Sequence, residues 1–465
     1  MPLNEERISA IVKEVVKQLT ASRHIPDIVA GDNGIFDDVD SAVKAAAAAQ
    51  KELAAMSIAQ RETIVGAIRG AGESNAQYFA RRSVDETALG KYEHKVQKNI
   101  NASRLSPGTE ELVQTVQNGD HGITITRRAP YGVIVSITPT THPTPMIINH
   151  AIIMLAGGNT VFFCPHPRAQ MISREAIQIL NQAIIAAGGP ANCLVAVKEA
   201  TLDAVNAASS HPLVDMVTAA GGPGVVKAAL SSGKKAIAAG AANPPVVVDE
   251  TADIAKAARD IVESAWFDNN ILCIGEKTVF AVDTIAETLL QHMQKHGAHL
   301  LTDDEARRVT ELIVRDDHIV GEWVGKDASL ILQEVGITPG EGMVGAVMVV
   351  PYEHPLVKIE QMLPILPLVK TTDFAQGLQL AYGTEQGFRH TAVIHSQNVE
   401  RISLFAKTMQ TTIVVVNGPA FASLGIDGDA KFGHTIASPT GEGICTTATF
   451  TRQQNVTMAG GLTFA

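Results

Sequence analysis

The chain reads as an α/β protein built on mostly parallel sheets, and three features of its sequence predict this. From Val133 onward, apolar runs of strand length alternate with helix-length amphipathic segments, the rhythm of a parallel sheet with helices on both faces. A second alternating series starts near Lys235, and the boundary between the two α/β units is expected near residue 240. With 465 residues the chain exceeds what one small core organises, and two or three domains are expected.

Taken in order, residues 5–19 place Ile8, Ile11, Val12, Val15, Val16 and Leu19 on one helical face, with Asn4 as a candidate cap. The stretch after it, with Pro26, Gly31 and Gly34, reads as a linker. Such a helix either docks on another protein or packs on its own domain or a sister subunit. Helices are predicted over 41–56, 58–70 and 74–87, in an Ala-rich region without chemistry of its own. Between Gly122 and Ile137 the pattern first alternates and then turns apolar, as an exposed strand followed by a buried one would. An edge strand of the first kind is a natural oligomer contact.

Strands are then predicted at 133–137, 159–163, 193–197 and 213–218, with helices at 143–156, 169–187 and 201–209. The turn Gly221-Gly222-Pro223-Gly224 follows, where glycines let backbone N–H groups approach a phosphate at a helix N-terminus. Nucleotide binding and a plain connection are both compatible with that spacing. The second series has strands at 244–248, 277–282, 344–350, 391–396 and 412–416, with helices at 254–265, 285–296 and 398–407. A last strand within 446–458 resembles Gly122–Arg128 in character, which suggests that the two pair.

Composition narrows the function. The net charge of −11, with no Lys/Arg stripe, disfavours nucleic acid. Cys164, Cys193, Cys273 and Cys445 are far apart, so neither a zinc site nor a disulfide framework is signalled, and a reducing compartment is expected. No uninterrupted apolar run reaches membrane-span length and no secretory signal is present, so a soluble, intracellular protein is expected.

The stretch Trp266-Phe-Asp-Asn-Asn-Ile-Leu-Cys273-Ile-Gly275 carries the most chemistry. A cysteine after a polar run, at the start of an apolar segment, is either a nucleophile facing a cleft or a small buried hydrophobe.

Six stretches, in order, resemble the aldehyde dehydrogenase superfamily, and within it the CoA-acylating acetaldehyde/propionaldehyde dehydrogenases of bacterial microcompartments. They are Ile137-Thr-Pro-Thr-Thr-His-Pro-Thr-Pro-Met146, Gly221-Gly-Pro-Gly-Val225, Gly240-Ala-Ala-Asn-Pro-Pro245, Phe267-Asp-Asn-Asn-Ile-Leu-Cys273, Glu360-Gln-Met-Leu-Pro364 and Ser438-Pro-Thr-Gly-Glu-Gly443. The resemblance implies a Rossmann-type nucleotide domain over 37–239, an α/β catalytic domain over 240–437, and a small β oligomerisation flap from a hairpin at about 119–131 and a return segment at 438–465. Residues 1–20 then resemble the encapsulation helices by which such enzymes reach a shell protein, with 21–36 as linker.

What the resemblance implies for the site is specific. Cys273 falls on the nucleophile. Thr141 stands where hydrolytic relatives place an oxyanion-binding asparagine, and is either a hydroxyl donor or a local cap; its neighbour His142 is either a site or a packing residue. Glu360 falls on the glutamate that holds the nicotinamide ribose, against the alternative of a solvated surface residue. Thr138, Pro139, Gly221, Gly222, Pro223 and Gly224 fall on the cofactor side, as do Cys164 and His166 beside the adenosine ribose. Cys164 replaces a frequent lysine, and preference for NAD over NADP is an expectation; no metal is implied. Ala239 stands where hydrolytic relatives carry a water-activating glutamate. The implied reaction is oxidation of a short aldehyde, with NAD and CoA, to an acyl-CoA. A hydrolytic aldehyde dehydrogenase and a non-catalytic shell-associated homologue are the alternatives. A homodimer or tetramer in the cytoplasm, inside a microcompartment, completes the expectation.

Overall fold

The structure, a computed structural model, describes residues 32–462. The helix expected at 5–19 and most of the linker lie outside the described residues. Two parallel sheets organise the rest. The first has six strands in the order Ile35–Phe36, Leu194–Val197, Thr160–Pro165, Val133–Thr138, Met216–Ala220 and Lys235–Ala239, every pair parallel. Ile35–Phe36, inside the segment read as linker, is thus an edge strand of this sheet.

Period-two geometry divides each strand between two cores. Ile134, Val161 and Phe163 face a core shared with the helices Ile58–Ser74, Pro143–Ala156 and Gln170–Ala186. Val133, Val135, Ile137 and Phe162 face the opposite side, against Ala42, Val43 and Ala46 of the helix Val39–Ala55. Burial on both faces is why these strands are apolar almost throughout.

The chain changes sheet between Ala239 and Pro245. The second sheet has seven parallel strands, in the order Ala298–Leu300, Gly345–Val349, Ile365–Thr371, Thr278–Val282, Pro245–Val248, Thr391–His395 and Ile413–Val416. A third, three-stranded sheet joins the hairpin Thr115–Gly119/Gly122–Pro130 to Thr451–Ala459, antiparallel, with Gly122 opposite Ala459 and Pro130 opposite Thr451. The pairing expected of the terminal strand is present, and the hairpin starts four residues earlier than expected. Gly122 has φ +122°, and a Cβ there would lie 2.1 Å from the Met458 carbonyl oxygen, so the hairpin requires glycine at this point.

The helices expected at 41–56, 58–70 and 74–87 run over Val39–Ala55, Ile58–Ser74 and Ala76–Thr87. A reciprocal Ser57/Gln60 capping box starts the second of them. A further helix, Tyr92–Leu105, has no apolar stripe: its buried face is Lys95, Lys98, Asn99, Asn101, Ala102 and Ser103. Among the described residues no helix is long and apolar enough to cross a membrane.

Burial also sets an acid limit on stability. It pushes His150 and His434 down to about 3 and His390 and His395 down to about 4, so all four stay neutral in the folded chain at neutral pH. The unfolded chain takes up protons from about pH 6.5 downward, so their contribution is complete above that pH and is lost below it. Each should forfeit about 1 kcal/mol between pH 7 and 5.5, offset in part by the buried Glu276, whose pKa near 7 acts in the opposite sense. In denaturant melts at the two pH values, His395→Phe should lose about 1 kcal/mol less than the wild type; equal losses would refute the assignment.

Candidate active site

The first sheet has one point where its strand order reverses. From Val133–Thr138 the chain proceeds to Thr160–Pro165 and Leu194–Val197 on one side, then returns to the other for Met216–Ala220. The carboxyl ends of Val133–Thr138 and Met216–Ala220 therefore flank a crevice of the kind in which open α/β sheets hold nucleotides. Thr138 and Pro139 close one strand, and Gly221–Gly224 leave the other. Gly222 precedes the helix Pro223–Leu230 without a side-chain cap, and a Cβ added at Gly222 or Gly224 would meet nothing within 4 Å. The buried hydroxyls of Thr138 and Thr218 have no protein partner. Open space before a helix N-terminus, beside unsatisfied polar groups, fits a dinucleotide.

Cys164 stands on the neighbouring strand, opposite Ile137, and burial pushes its thiol up to about 12. It is a packed, inert thiol. His166 is exposed; its Nδ1 accepts the Arg168 N–H at 3.1 Å and its own N–H donates to the Thr138 carbonyl at 3.1 Å.

The candidate nucleophile lies beyond the helix Ile254–Ala265. After Trp266 a short turn runs through Asp268, Asn269 and Asn270, with φ of 51°, 56° and 61°. Asp and Asn tolerate this left-handed region better than other side chains, and here each is anchored. Asp268 Oδ1 accepts the Lys91 N–H at 2.8 Å, and the Asp268 N–H donates to His94 Nδ1 at 2.8 Å. Asn269 Nδ2 donates to the Gly325 carbonyl and to Asp327 Oδ1. Asn270 Oδ1 and carbonyl oxygen both accept Lys277 Nζ at 2.6 Å, and Leu272 O accepts it at 3.3 Å. Lys277 thus braces the turn on which Cys273 is carried, half-buried.

Three ionisable groups, Glu360, Lys277 and Lys98, set the charge around that sulfur. Burial pushes the Cys273 thiol up to about 11; the Glu360 carboxylate adds to the rise, while Lys277 and Lys98 oppose it. Burial raises Glu360, against the pull of Lys277. Burial likewise brings Lys277 down to about 8 despite Glu360. Glu360 therefore acts on Cys273 and is no solvated surface residue. Glu276, with its pKa up to about 7, is committed elsewhere: it accepts from Ser264 Oγ and from the Ala420 N–H.

Thr141 and His142 precede the buried helix Pro143–Ala156. Thr141 Oγ1 and His142 Nδ1 share a 2.9 Å hydrogen bond, so the hydroxyl is engaged locally. His142 stacks on His434 with ring centroids 5.3 Å apart, and burial holds it well below 6.5. Its imidazole is neutral. Lys95 and Lys98, both buried, donate to the Thr141 carbonyl at 3.3 and 3.2 Å.

Sequence reasoning missed Lys95, Lys98, Asp268, Glu276, Lys277 and His434. Only Lys95 and Lys98 left a signal, two cations one helical turn apart. Ala239 ends its strand 8% exposed, with its carbonyl accepting the Gly221 N–H at 3.3 Å, so a methyl group borders the crevice at this position. Among the described residues no group of three or more His, Cys, Asp or Glu is placed to hold a metal ion.

Residues 28–442 match the aldehyde dehydrogenase family. The chain is 40% identical to the acetylating acetaldehyde dehydrogenase of Escherichia coli over 457 residues, 97% of either chain. It is 38% identical to the CoA-propanoylating propanal dehydrogenase of Salmonella typhimurium over 461 residues, 99% of either. Its fold superposes with a TM-score of 0.91 on the Rhodopseudomonas palustris propionaldehyde dehydrogenase solved with bound CoA and an acylated cysteine, at 42% identity over 93% of this chain and 100% of the other. The TM-score is also 0.91 with the propionaldehyde dehydrogenase of the Clostridium phytofermentans fucose utilisation microcompartment, at 43% identity and the same coverage. Crevice, cysteine turn and sequence agree: the chain belongs to the aldehyde dehydrogenase family, alongside its CoA-acylating acetaldehyde and propanal dehydrogenases.

Proposed function

We propose that this protein is a CoA-acylating aldehyde dehydrogenase that oxidises a short aliphatic aldehyde to its acyl-CoA, with Cys273 as nucleophile. The observation that carries the reading is a half-buried thiol on a braced turn, in a chain that puts Ala239 where a hydrolytic relative needs a carboxylate. The thiolate forms a C–S bond to the aldehyde carbon, and the carbonyl electron pair moves onto oxygen. Loss of hydride from that carbon then leaves a thioester on Cys273. Thr138, Pro139 and the Gly221–Gly224 turn would hold NAD, with Glu360 at its ribose, and the bound cofactor would supply the hydride acceptor. The CoA thiol, losing its proton to solvent, then forms the C–S bond of the acyl-CoA as the Cys273 C–S bond breaks and the Cys273 thiolate is released. Without a carboxylate at position 239 to deprotonate water, the thioester persists until that thiol arrives.

The Cys273 N–H is the backbone candidate for stabilising the tetrahedral oxyanion. Thr141 contributes its hydroxyl only by giving up its bond to His142. His142, neutral and stacked, shapes the wall beside it. The R. palustris enzyme with CoA and an acylated cysteine supports the same covalent route here.

The enzyme acts in a microcompartment in the cytoplasm, recruited by residues 5–19 and assembled through the three-stranded flap. The amphipathic Ile/Val face supports the first of these, and the microcompartment relative supports the setting. Exposed Val116, Val456 and Met458, on one face of the flap, support the second, since an exposed apolar patch marks an interaction surface.

NADH formation from NAD and propanal should require CoA and yield propionyl-CoA, and Cys273→Ala should abolish turnover while retaining NAD binding; propionate formed without CoA would mean that another base activates water. Val456→Arg should shift the protein to smaller assemblies in light scattering, whereas an unchanged mass would place the interface elsewhere. Deleting residues 1–20 should end co-sedimentation with shells, and unchanged loading would sink the packaging role.

A further inference from the structure

Lys95, Lys98 and Asp268 form an ionic cluster with no part in the chemistry above. Asp268 Oδ2 accepts Lys98 Nζ at 2.8 Å and Lys95 Nζ at 3.2 Å, with side-chain exposures of 0%, 4% and 3%. Charges so buried are costly to hold, and an apolar trio would pack the same space without that cost. Their retention calls for a reason beyond stability.

The geometry supplies one. The two ammoniums also donate to the Thr141 carbonyl, while the carboxylate caps Lys91 and belongs to the left-handed turn ahead of Cys273. Three segments meet at these groups: the helix Tyr92–Leu105, the strand-to-helix connection at Thr141, and the cysteine turn. Gly90, with φ +73°, gives the carboxylate its seat, because a Cβ there would lie 2.0 Å from Asp268 Oδ1. Two cations face one anion; burial brings Lys95 down to about 8 against the pull of Asp268, so the cluster is net positive at neutral pH and loses that excess as Lys95 gives up its proton, leaving Lys98, which acts on Cys273 together with Glu360 and Lys277. His94, on the helix Tyr92–Leu105 beside Lys91 and Glu93, faces the turn as well; burial keeps it below its usual value, and it accepts the Asp268 N–H.

We propose that Lys95, Lys98 and Asp268 are positioning residues for acyl transfer: they clamp the Thr141 backbone and the cysteine turn to one helix, and their excess positive charge favours the anionic forms of the site. This rests on Cys273 being the nucleophile. A cluster that only braces the turn and one that also biases charge predict different things, because the sign of the removed charge matters only to the second.

The test compares Lys98→Met and Asp268→Asn in the full-length enzyme. Asparagine retains the shape of Asp268 and tolerates its left-handed backbone. The readouts are the pH midpoint of Cys273 alkylation by iodoacetamide, followed on its own peptide by mass spectrometry, and kcat and KM with propanal, NAD and CoA. Lys98→Met should move the midpoint up and Asp268→Asn should move it down, each by about one pH unit. In both, kcat should fall about tenfold or more with KM for CoA little changed, because orientation is lost and binding is not. Lys98→Arg should restore the wild-type midpoint. Midpoints that stay put, or move in the same direction in both variants, would overturn the proposal. Should Asp268→Asn fail to fold, the Lys98→Met and Lys98→Arg pair decides alone. Turnover retained by Cys273→Ala would refute the nucleophile itself, an outcome separate from failure of the cluster.

Discussion

Three successive residues in the left-handed region, Asp268, Asn269 and Asn270, hold the chain between the helix Ile254–Ala265 and Cys273 in a conformation the backbone does not favour by itself. Everything near the sulfur is arranged to keep it there. Lys277 grips the turn from the sheet side, Asp327 and Gly325 grip it from the loop ahead of the helix Ala328–Glu334, and the helix Tyr92–Leu105 grips it through Asp268. Each anchor comes from a different part of the chain, so the cysteine is placed by tertiary structure and not by its local sequence alone.

The same constraint explains the electrostatics. A turn tied down by buried ammoniums brings cations close to a thiol that burial otherwise disfavours as an anion, and Glu360 lies near enough to work against them. The sulfur therefore lies between charges of both signs.

Most of the fold was legible in the sequence because its strands are buried on both faces and its connections are short. The helices Pro143–Ala156 and Ile254–Ala265 begin and end where periodicity put them, and the pairing of Thr451–Ala459 with Gly122–Pro130 followed from shared alternation. The helix Tyr92–Leu105 was not legible, since a helix that buries Lys95, Lys98 and Asn99 has no apolar stripe to find. For the same reason the ionic cluster stayed hidden: Lys98 and Asp268 are 170 residues apart, and nothing local in either segment names the other. Cys273 and the glycine turn were visible because their chemistry is local, whereas the charges that tune them are assembled only by tertiary structure.

The flap has a temporal side as well. Its middle strand, Gly122–Pro130, is complete early in synthesis, yet its partner begins only at Thr451. At about 5–20 residues per second the ribosome needs roughly 15–60 s to make the intervening chain, and throughout that interval one hydrogen-bonding edge of the hairpin is open. Self-association of nascent chains is favoured in that window. The strand Thr451–Ala459 thus seals the hairpin edge most exposed to misassembly.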